Sequence, residues 1–456
     1  MYKKILIASL ALIAGLASCK KDDPTPSPNP PSTLTIDGVA SSLEFYQLDT
    51  AHLSVAGVAK DAAAKAVWAV NGAKAAEGAT FDFTTAHPGK YEVTLTVDGK
   101  SAKQTYTVAP RFSEGAFLLN EGNFGNETGS LTYIHPSKKL VIDQAYYRVN
   151  GTKLGNVCQD LAFGNDQVYI LSQLGPKNGG EGLLTIANSH SLEKVKVYND
   201  EALAQSTPTH IAVLRDHIYI RTERDGILRG SSEGGFTPIT GTKKALKQRM
   251  AQIGERLFAL TSDSKVLMIQ GTQVVRELNL SPAKPSGIAV SHDGKLWVST
   301  TSPNAILKVD PTPDNFIALD THVLDKSISA TGPESWQRTT SSAFFAHGDK
   351  LYFTGQSSVI YCHDFATNKT SQVIDVKTID GVGTSANMYY NSLGVDPSTG
   401  ELYYAAFEGY STYNKKNVTM VLKADGTKLL LKELVNSFPA GFFFIPNAAS
   451  RTGANR

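Results

Sequence analysis

The chain has 456 residues, enough for two or three domains with substantial cores. Its 44 Lys+Arg against 42 Asp+Glu leave a formal net charge of +2, which excludes the global field that recruits nucleic acid or anionic lipid. Aromatic residues at 9% with 38 Gly and 20 Pro suit an all-β chain rich in turns, while three cysteines exclude a disulfide framework or a Cys-based zinc site.

At the N-terminus, Lys3 and Lys4 precede the apolar run Ile5 to Leu16, which ends in Leu16-Ala17-Ser18-Cys19. The run is too short to span a bilayer, and a basic start followed by small residues predicts an export signal over residues 1–18. Its ending resembles the lipobox of bacterial lipoproteins, which implies cleavage before Cys19 and lipidation of that residue. Residues 19–32 are charged and proline-rich, the composition of an extended tether. Their Lys-Asp-Asp start resembles the acidic signal that sends some Gram-negative lipoproteins to the outer face of the outer membrane. A membrane-anchored body facing the cell exterior is therefore expected.

Residues 33–110 read as short alternating strands. Tyr91, Val93, Leu95 and Val97 share one face and Glu92, Thr94 and Thr96 the other, the period of a half-buried strand. Asp98-Gly99 turns the chain into Ser101 to Val108, and Trp68 lies within an earlier strand. A mid-strand Trp followed by "HPGKYEVTLTV" resembles the Ig-like polycystic kidney disease domain, which implies a spacer or docking sandwich with Trp68 in its core.

Residues 111–450 repeat one pattern: an apolar strand, a polar turn, an aromatic-containing strand. The copies are "LAFGNDQVYILS" at Leu161, "IAVLRDHIYIRT" at Ile211, "MAQIGERLFALT" at Met250, "IAVSHDGKLWVST" at Ile288, "AFFAHGDKLYFTG" at Ala343 and "LGVDPSTGELYYAA" at Leu393. Their aromatic markers Tyr169, Tyr219, Phe258, Trp297, Tyr352 and Tyr403 recur at intervals of about 40 to 55 residues, the period of propeller blades. Phe117 to Ile134 has strands but no first strand before them, whereas "FPAGFFFIP" at Phe438 to Pro446 is an orphan strand. Joining the two predicts a seventh blade that closes the ring.

"NEGNFGNETGS", Asn120 to Ser130, is a longer loop than a hairpin requires. In a propeller it falls on the face that carries the links between blades. Gln173 to Gly182, Thr331 to Ser341, Thr378 to Ser392 and Phe407 to Asn417 belong to the same face. Catalytic signatures are sparse. Gly230-Ser231-Ser232-Glu233-Gly234 matches a nucleophile elbow only as a string, since Gly235 and Pro238 follow and no helix pattern appears. Gly381 to Ala386 matches a dinucleotide fingerprint without its βαβ context. Glu121, Asn156, Asp160, Glu223 and Asp380 are the oxygen donors that a metal-assisted, lactonase-like site would use, although an Asp in the position of Asp160 commonly closes a turn. Lys243, Lys244, Lys247 and Arg249 read as a solvated basic loop. Cys158 and Cys362 read as small buried residues, with a disulfide between them left open by an oxidising compartment.

A lipobox, an Ig-like spacer and a first blade beginning "AFLLNEGNFGNETGSLTYI" resemble the YncE-like surface lipoproteins of Gram-negative gut-type bacteria. The resemblance implies a seven-bladed β-propeller that binds cobalamin or another corrinoid and delivers it to a TonB-dependent outer-membrane transporter. It implies no enzyme activity, no cofactor, no metal and no nucleic-acid partner. A corrinoid is a broad, partly apolar ring edged by amides, so its receptor wants aromatic faces and amide partners. Phe124, Trp336, Tyr389, Tyr390, Tyr410 and Tyr413 are the candidate faces, and Asn120, Asn123, Asn126, Gln173, Gln337 and Asn387 the candidate hydrogen-bond partners. Arg338 stands beside Trp336, either at the ligand or stacked on that ring. Two other classes remain open, a surface propeller for protein or glycan interaction and the metal-assisted hydrolase.

Overall fold

Every aromatic marker lies in the second strand of a four-stranded antiparallel sheet, and the period of the sequence is the period of these sheets. The computed structural model describes residues 33–40, 43–328, 343–355, 357–383, 392–407, 417–434 and 438–446, with the side chain of residue 407 excepted.

Two compact units divide the chain. The first comprises the described residues of Met1–Leu43 with Ala51–Phe83 and Tyr91–Tyr106. One sheet in it joins Thr35–Gly38, Thr50–Ala56 and Thr80–Thr84. Another includes, in spatial order, Lys100–Ala109, Gly89–Val97, Val67–Val70 and Ala73–Glu77. Val93, Leu95 and Val97 are buried on one face, as their alternation predicts. Asp98 and Gly99 both take positive φ, the conformation that a tight hairpin needs. Trp68 is fully buried, and its Nε1 donates to the Gly78 carbonyl at 2.9 Å, so the indole is a core residue with its one donor satisfied.

The second unit holds seven four-stranded sheets, the blades of a β-propeller. Blade 1 runs Asn156–Gly164, Gln167–Gly175, Leu184–Asn188, Lys194–Tyr198. Blades 2 to 6 repeat that order with inner strands Pro208–Leu214, Ala251–Ile253, Lys284–Val290, Phe344–His347 and Leu393–Val395. Blade 7 is composite. Pro439–Phe444 forms its inner strand and pairs antiparallel with Ala116–Asn120, which is followed by Ser130–His135 and Leu140–Ile142. The ring is thus closed by backbone hydrogen bonds between segments from opposite ends of the unit.

Seven buried apolar clusters occupy the seven junctions between neighbouring blades. Each marker packs against the following blade. Tyr169 of blade 1 sits among Ile211, Val213 and Ile218 of blade 2, and Trp297 of blade 4 among Phe344, Leu351 and Phe353 of blade 5. Phe117 plays the same part in blade 7, facing Leu161, Val168 and Ile170 of blade 1. One large ring per blade keeps each junction filled, and a fully buried aromatic side chain of this size contributes on the order of 2–3 kcal/mol.

A rim pocket between blades 7 and 1 and a clasped channel

The long loop from Asn120 to Ser130 joins the second and third strands of blade 7 and lies against the inner strand of blade 1. Its amides hold the loop itself. Asn123 Oδ1 accepts from Gly125 N at 2.8 Å, an Asx turn, and the Asn123 carbonyl accepts from Glu127 N at 3.1 Å. The fully buried Asn156 of blade 1 donates Nδ2 to the carbonyls of Asn123, at 2.9 Å, and Glu127. Asn120 points between strands, with Nδ2 donating to Ser130 Oγ and Thr132 Oγ1. Gly129 is required by close approach, since a Cβ there would overlap the Cys158 side chain.

What the anchored loop leaves free forms a pocket of about 190 Å³ on the face that carries the links. The opposite wall is the link into blade 1, with helix Ala145–Asn150 and Lys153, and Asn178 reaches in from the loop between the second and third strands of blade 1. Asn126, Glu127, Gln144, Tyr147, Lys153 and Asn178 bring amide, carboxylate, phenol and ammonium groups to one opening. Neighbouring Tyr146 is buried and donates to Glu181 Oε2 at 2.7 Å, and Glu181 also accepts from Lys194 at 2.6 Å. Burial opposes ionisation of Glu181, yet the bonds from Lys194 and Tyr146 hold its carboxyl below the usual range. This pair stiffens the helix behind the pocket.

Of the residues expected to meet ligand, Asn123 and Phe124 lie on this rim loop. Phe124 is 63% exposed, and Lys177 Nζ stands 4.2 Å from its ring centroid, a cation–π contact between the loops of blades 7 and 1. Gln173 is half-buried near the end of the second strand of blade 1. Trp336, Arg338, Tyr389, Tyr390 and Tyr410, and the lipidation candidate Cys19, lie outside the described residues. Glu127, Gln144, Tyr147, Lys153 and Asn178 escaped the sequence reading. Their signal was local: Asn178 lies in a segment assigned to this face, whereas Lys153 follows a short helix that no repeat marks.

Arg249 corrects the expectation of a solvated basic run. Its side chain enters the central channel, where Nε donates to Asp160 Oδ1 at 3.1 Å and Nη1 and Nη2 donate to the carbonyls of Phe442 and Ala440 at 3.2 and 3.3 Å. The guanidinium also lies 3.9 Å from the centroid of Phe443. Asp160 does not simply close a turn. It is 2% exposed and accepts from Ile211 N at 2.9 Å through its other oxygen. Burial pushes its carboxyl up to about 6, with Arg249 opposing. The other members of that run remain near the surface, Lys244 paired with Asp263 at 3.1 Å and Lys247 with Glu223 at 3.7 Å.

These pairings bear on the metal-site candidates. Asp160 is held by Arg249 and Glu223 by Arg221 at 2.9 Å, and among the described residues no three His, Cys, Asp or Glu groups gather where they could hold an ion. Below Arg249 the channel widens into a cavity of about 290 Å³ lined by Ile288, Val290, Phe345, Val395 and Phe444. Cys158 of blade 1 and Cys362 of blade 5 are free thiols, and Cys362 is only half-buried. Ser231 ends one strand and Gly234 begins the next, so the elbow-like string is a hairpin turn. No described helix is long and apolar enough to cross a membrane.

A family model described as a domain of unknown function, DUF5074, matches residues 114–445, the extent of the seven blades. Among solved structures, the chain is similar to a quinonprotein alcohol dehydrogenase-like protein from Bacteroides thetaiotaomicron, at 14% identity and a TM-score of 0.56 over 92% of this chain and 98% of that one. A protein from Lactobacillus plantarum matches at 13% identity and a TM-score of 0.47, over 73% of this chain and 99% of its own. The first likeness supports the propeller fold alone. No curated protein matches the chain.

Proposed function

The chain belongs to the DUF5074 family, and on that premise we propose that it is a surface-exposed outer-membrane lipoprotein, anchored through Cys19, that captures a small amide-edged nutrient on the link-bearing face of its propeller. Cobalamin or another corrinoid is the ligand that the LNEGNFG resemblance suggests, and a TonB-dependent transporter is the receiver. The Ig-like reading of residues 33–110 makes that segment a spacer. The protein acts by binding and not by catalysis.

The rim pocket carries this reading. The loop is anchored by Asn123 and by Asn156 of blade 1, so Phe124 on its outer side and Asn126, Glu127 and Lys153 in the pocket are displayed without the ordering cost of a mobile loop. A mixed set of amides with the exposed rings of Phe124 and Tyr147 suits a ligand that is apolar in its face and polar at its edge. Calorimetric titration of the purified protein with cyanocobalamin tests it. Binding at micromolar affinity or tighter, weakened by Phe124→Ala, is expected; no heat at high protein concentration overturns the corrinoid assignment.

A further inference from the structure

Two side chains that are charged at neutral pH line the rim pocket without an ion pair between them or to any other described residue, Glu127 and Lys153. Their peptide groups are fixed. Glu127 N donates to the Asn123 carbonyl at 3.1 Å, and the Lys153 carbonyl accepts from Glu181 N at 3.1 Å, so a carboxylate from the rim loop and an ammonium from the link into blade 1 line the pocket from pinned backbone. Around them stand Asn126 and Gln144, whose amides each carry a donor and an acceptor, while the Asn178 amide is held by Gly125, Asn126 and Asn156.

We infer that this pocket is a subsite for a primary carboxamide, whose carbonyl accepts from Lys153 and whose NH₂ donates to Glu127. The inference rests on the reading of this face as the capture site of an amide-edged ligand, but not on that ligand being a corrinoid. A carboxylate guest is drawn to Lys153 and repelled by Glu127, and an ammonium guest meets the reverse. A neutral carboxamide satisfies both at once, because its acceptor and donor sit on the same carbon and each bond is charge-assisted, roughly twice as strong as a neutral one. The cavity of about 190 Å³ has room for such a group and a short stem, given that each water molecule in the liquid takes about 30 Å³.

Propionamide, propionate, propylammonium and alanine are the probes, titrated into the intact protein while the backbone amide resonances of Gly122 and Gly129 are followed. Propionamide should shift them saturably, and the two singly charged probes and alanine should bind at least tenfold more weakly. Glu127→Gln should weaken propionamide severalfold while strengthening propionate, because it removes the repulsion; Lys153→Met should weaken both. Equal binding of propionate or alanine, or no shift with propionamide, overturns the subsite. Cyanocobalamin titrated into the same variants separates the two readings. If it binds the wild type and both variants equally, the subsite fails and the capture function stands. If propionamide occupies the pocket and cyanocobalamin does not bind, the subsite stands and the corrinoid assignment fails.

Discussion

Arg249 and Asp160 join the link into blade 3 to the inner strand of blade 1 through a bond of 3.1 Å inside the channel. The same guanidinium holds two carbonyls of the closing strand, so one side chain ties blades 7 and 1 to the link into blade 3.

Removing Arg249 leaves Asp160 buried without its counter-charge, so Arg249→Met should destabilise the propeller by about 3–5 kcal/mol in urea unfolding. The double variant Arg249→Met/Asp160→Asn should recover part of that loss. Gly441→Ala should also destabilise, since a Cβ at that position would overlap the Arg249 guanidinium. A wild-type unfolding midpoint in Arg249→Met would mean that the clasp contributes nothing.

The pair His322 and His363 predicts acid sensitivity at the junction of blades 4 and 5. His322 Nδ1 and His363 Nε2 are 2.9 Å apart, His363 Nδ1 meets Thr370 Oγ1 at 3.0 Å, and Asp320 lies 3.5 Å from His322 Nε2. Burial, then the neighbouring His322, lowers His363 below its ordinary 6.5, with Asp364 opposing. The unfolded chain therefore binds more protons near pH 6, and stability present above 6.5 is lost as pH falls through the lower folded value. Thermal midpoints from pH 7.5 to 5 should fall in the wild type and fall less in His363→Gln. Parallel curves for the two would refute this.

Trp297 fills the same junction, fully buried and edge-on to Phe365 at 4.8 Å, with Nε1 donating to Ser291 Oγ at 3.3 Å. Trp297→Ala should cost about 3–5 kcal/mol, and Trp297→Phe less. Chemical denaturation with the fluorescence of the remaining tryptophans measures both.

Cys158 should resist thiol reagents in the native protein. It is fully buried, and burial together with the nearby Glu121 pushes its thiol up; Cys362 is half-buried, with its thiol pushed up to about 11 mainly by burial. Labelling at pH 8 should be negligible at Cys158 and slow at Cys362, and rapid for both in denaturant. Gly129→Val should expose Cys158 to the reagent, because the added side chain displaces the rim loop from blade 1.

The blade count, the markers and the composite seventh blade were legible because they are periodic. Each blade must present a large ring to the next at one register, so Tyr169, Tyr219, Phe258, Trp297, Tyr352 and Tyr403 recur, and Phe438 to Pro446 stands out as a strand without a local partner. The rim was legible only as a set of segments. Asn123, a residue expected at a ligand, also closes its own turn through Oδ1, a local hydrogen bond that composition does not reveal.

The sequence by itself determined the all-β propeller and its seam, since hydrophobic alternation and turn residues act over a few positions and repeat. Tertiary structure alone decided that Arg249, one basic residue in a run of four, meets Asp160 89 positions earlier and carbonyls 191 and 193 positions later. It also decided that Glu127, Lys153 and Asn178 share one pocket. Such meetings depend on how the ring closes, and the distance between two side chains across a closed ring leaves no periodic trace in the chain.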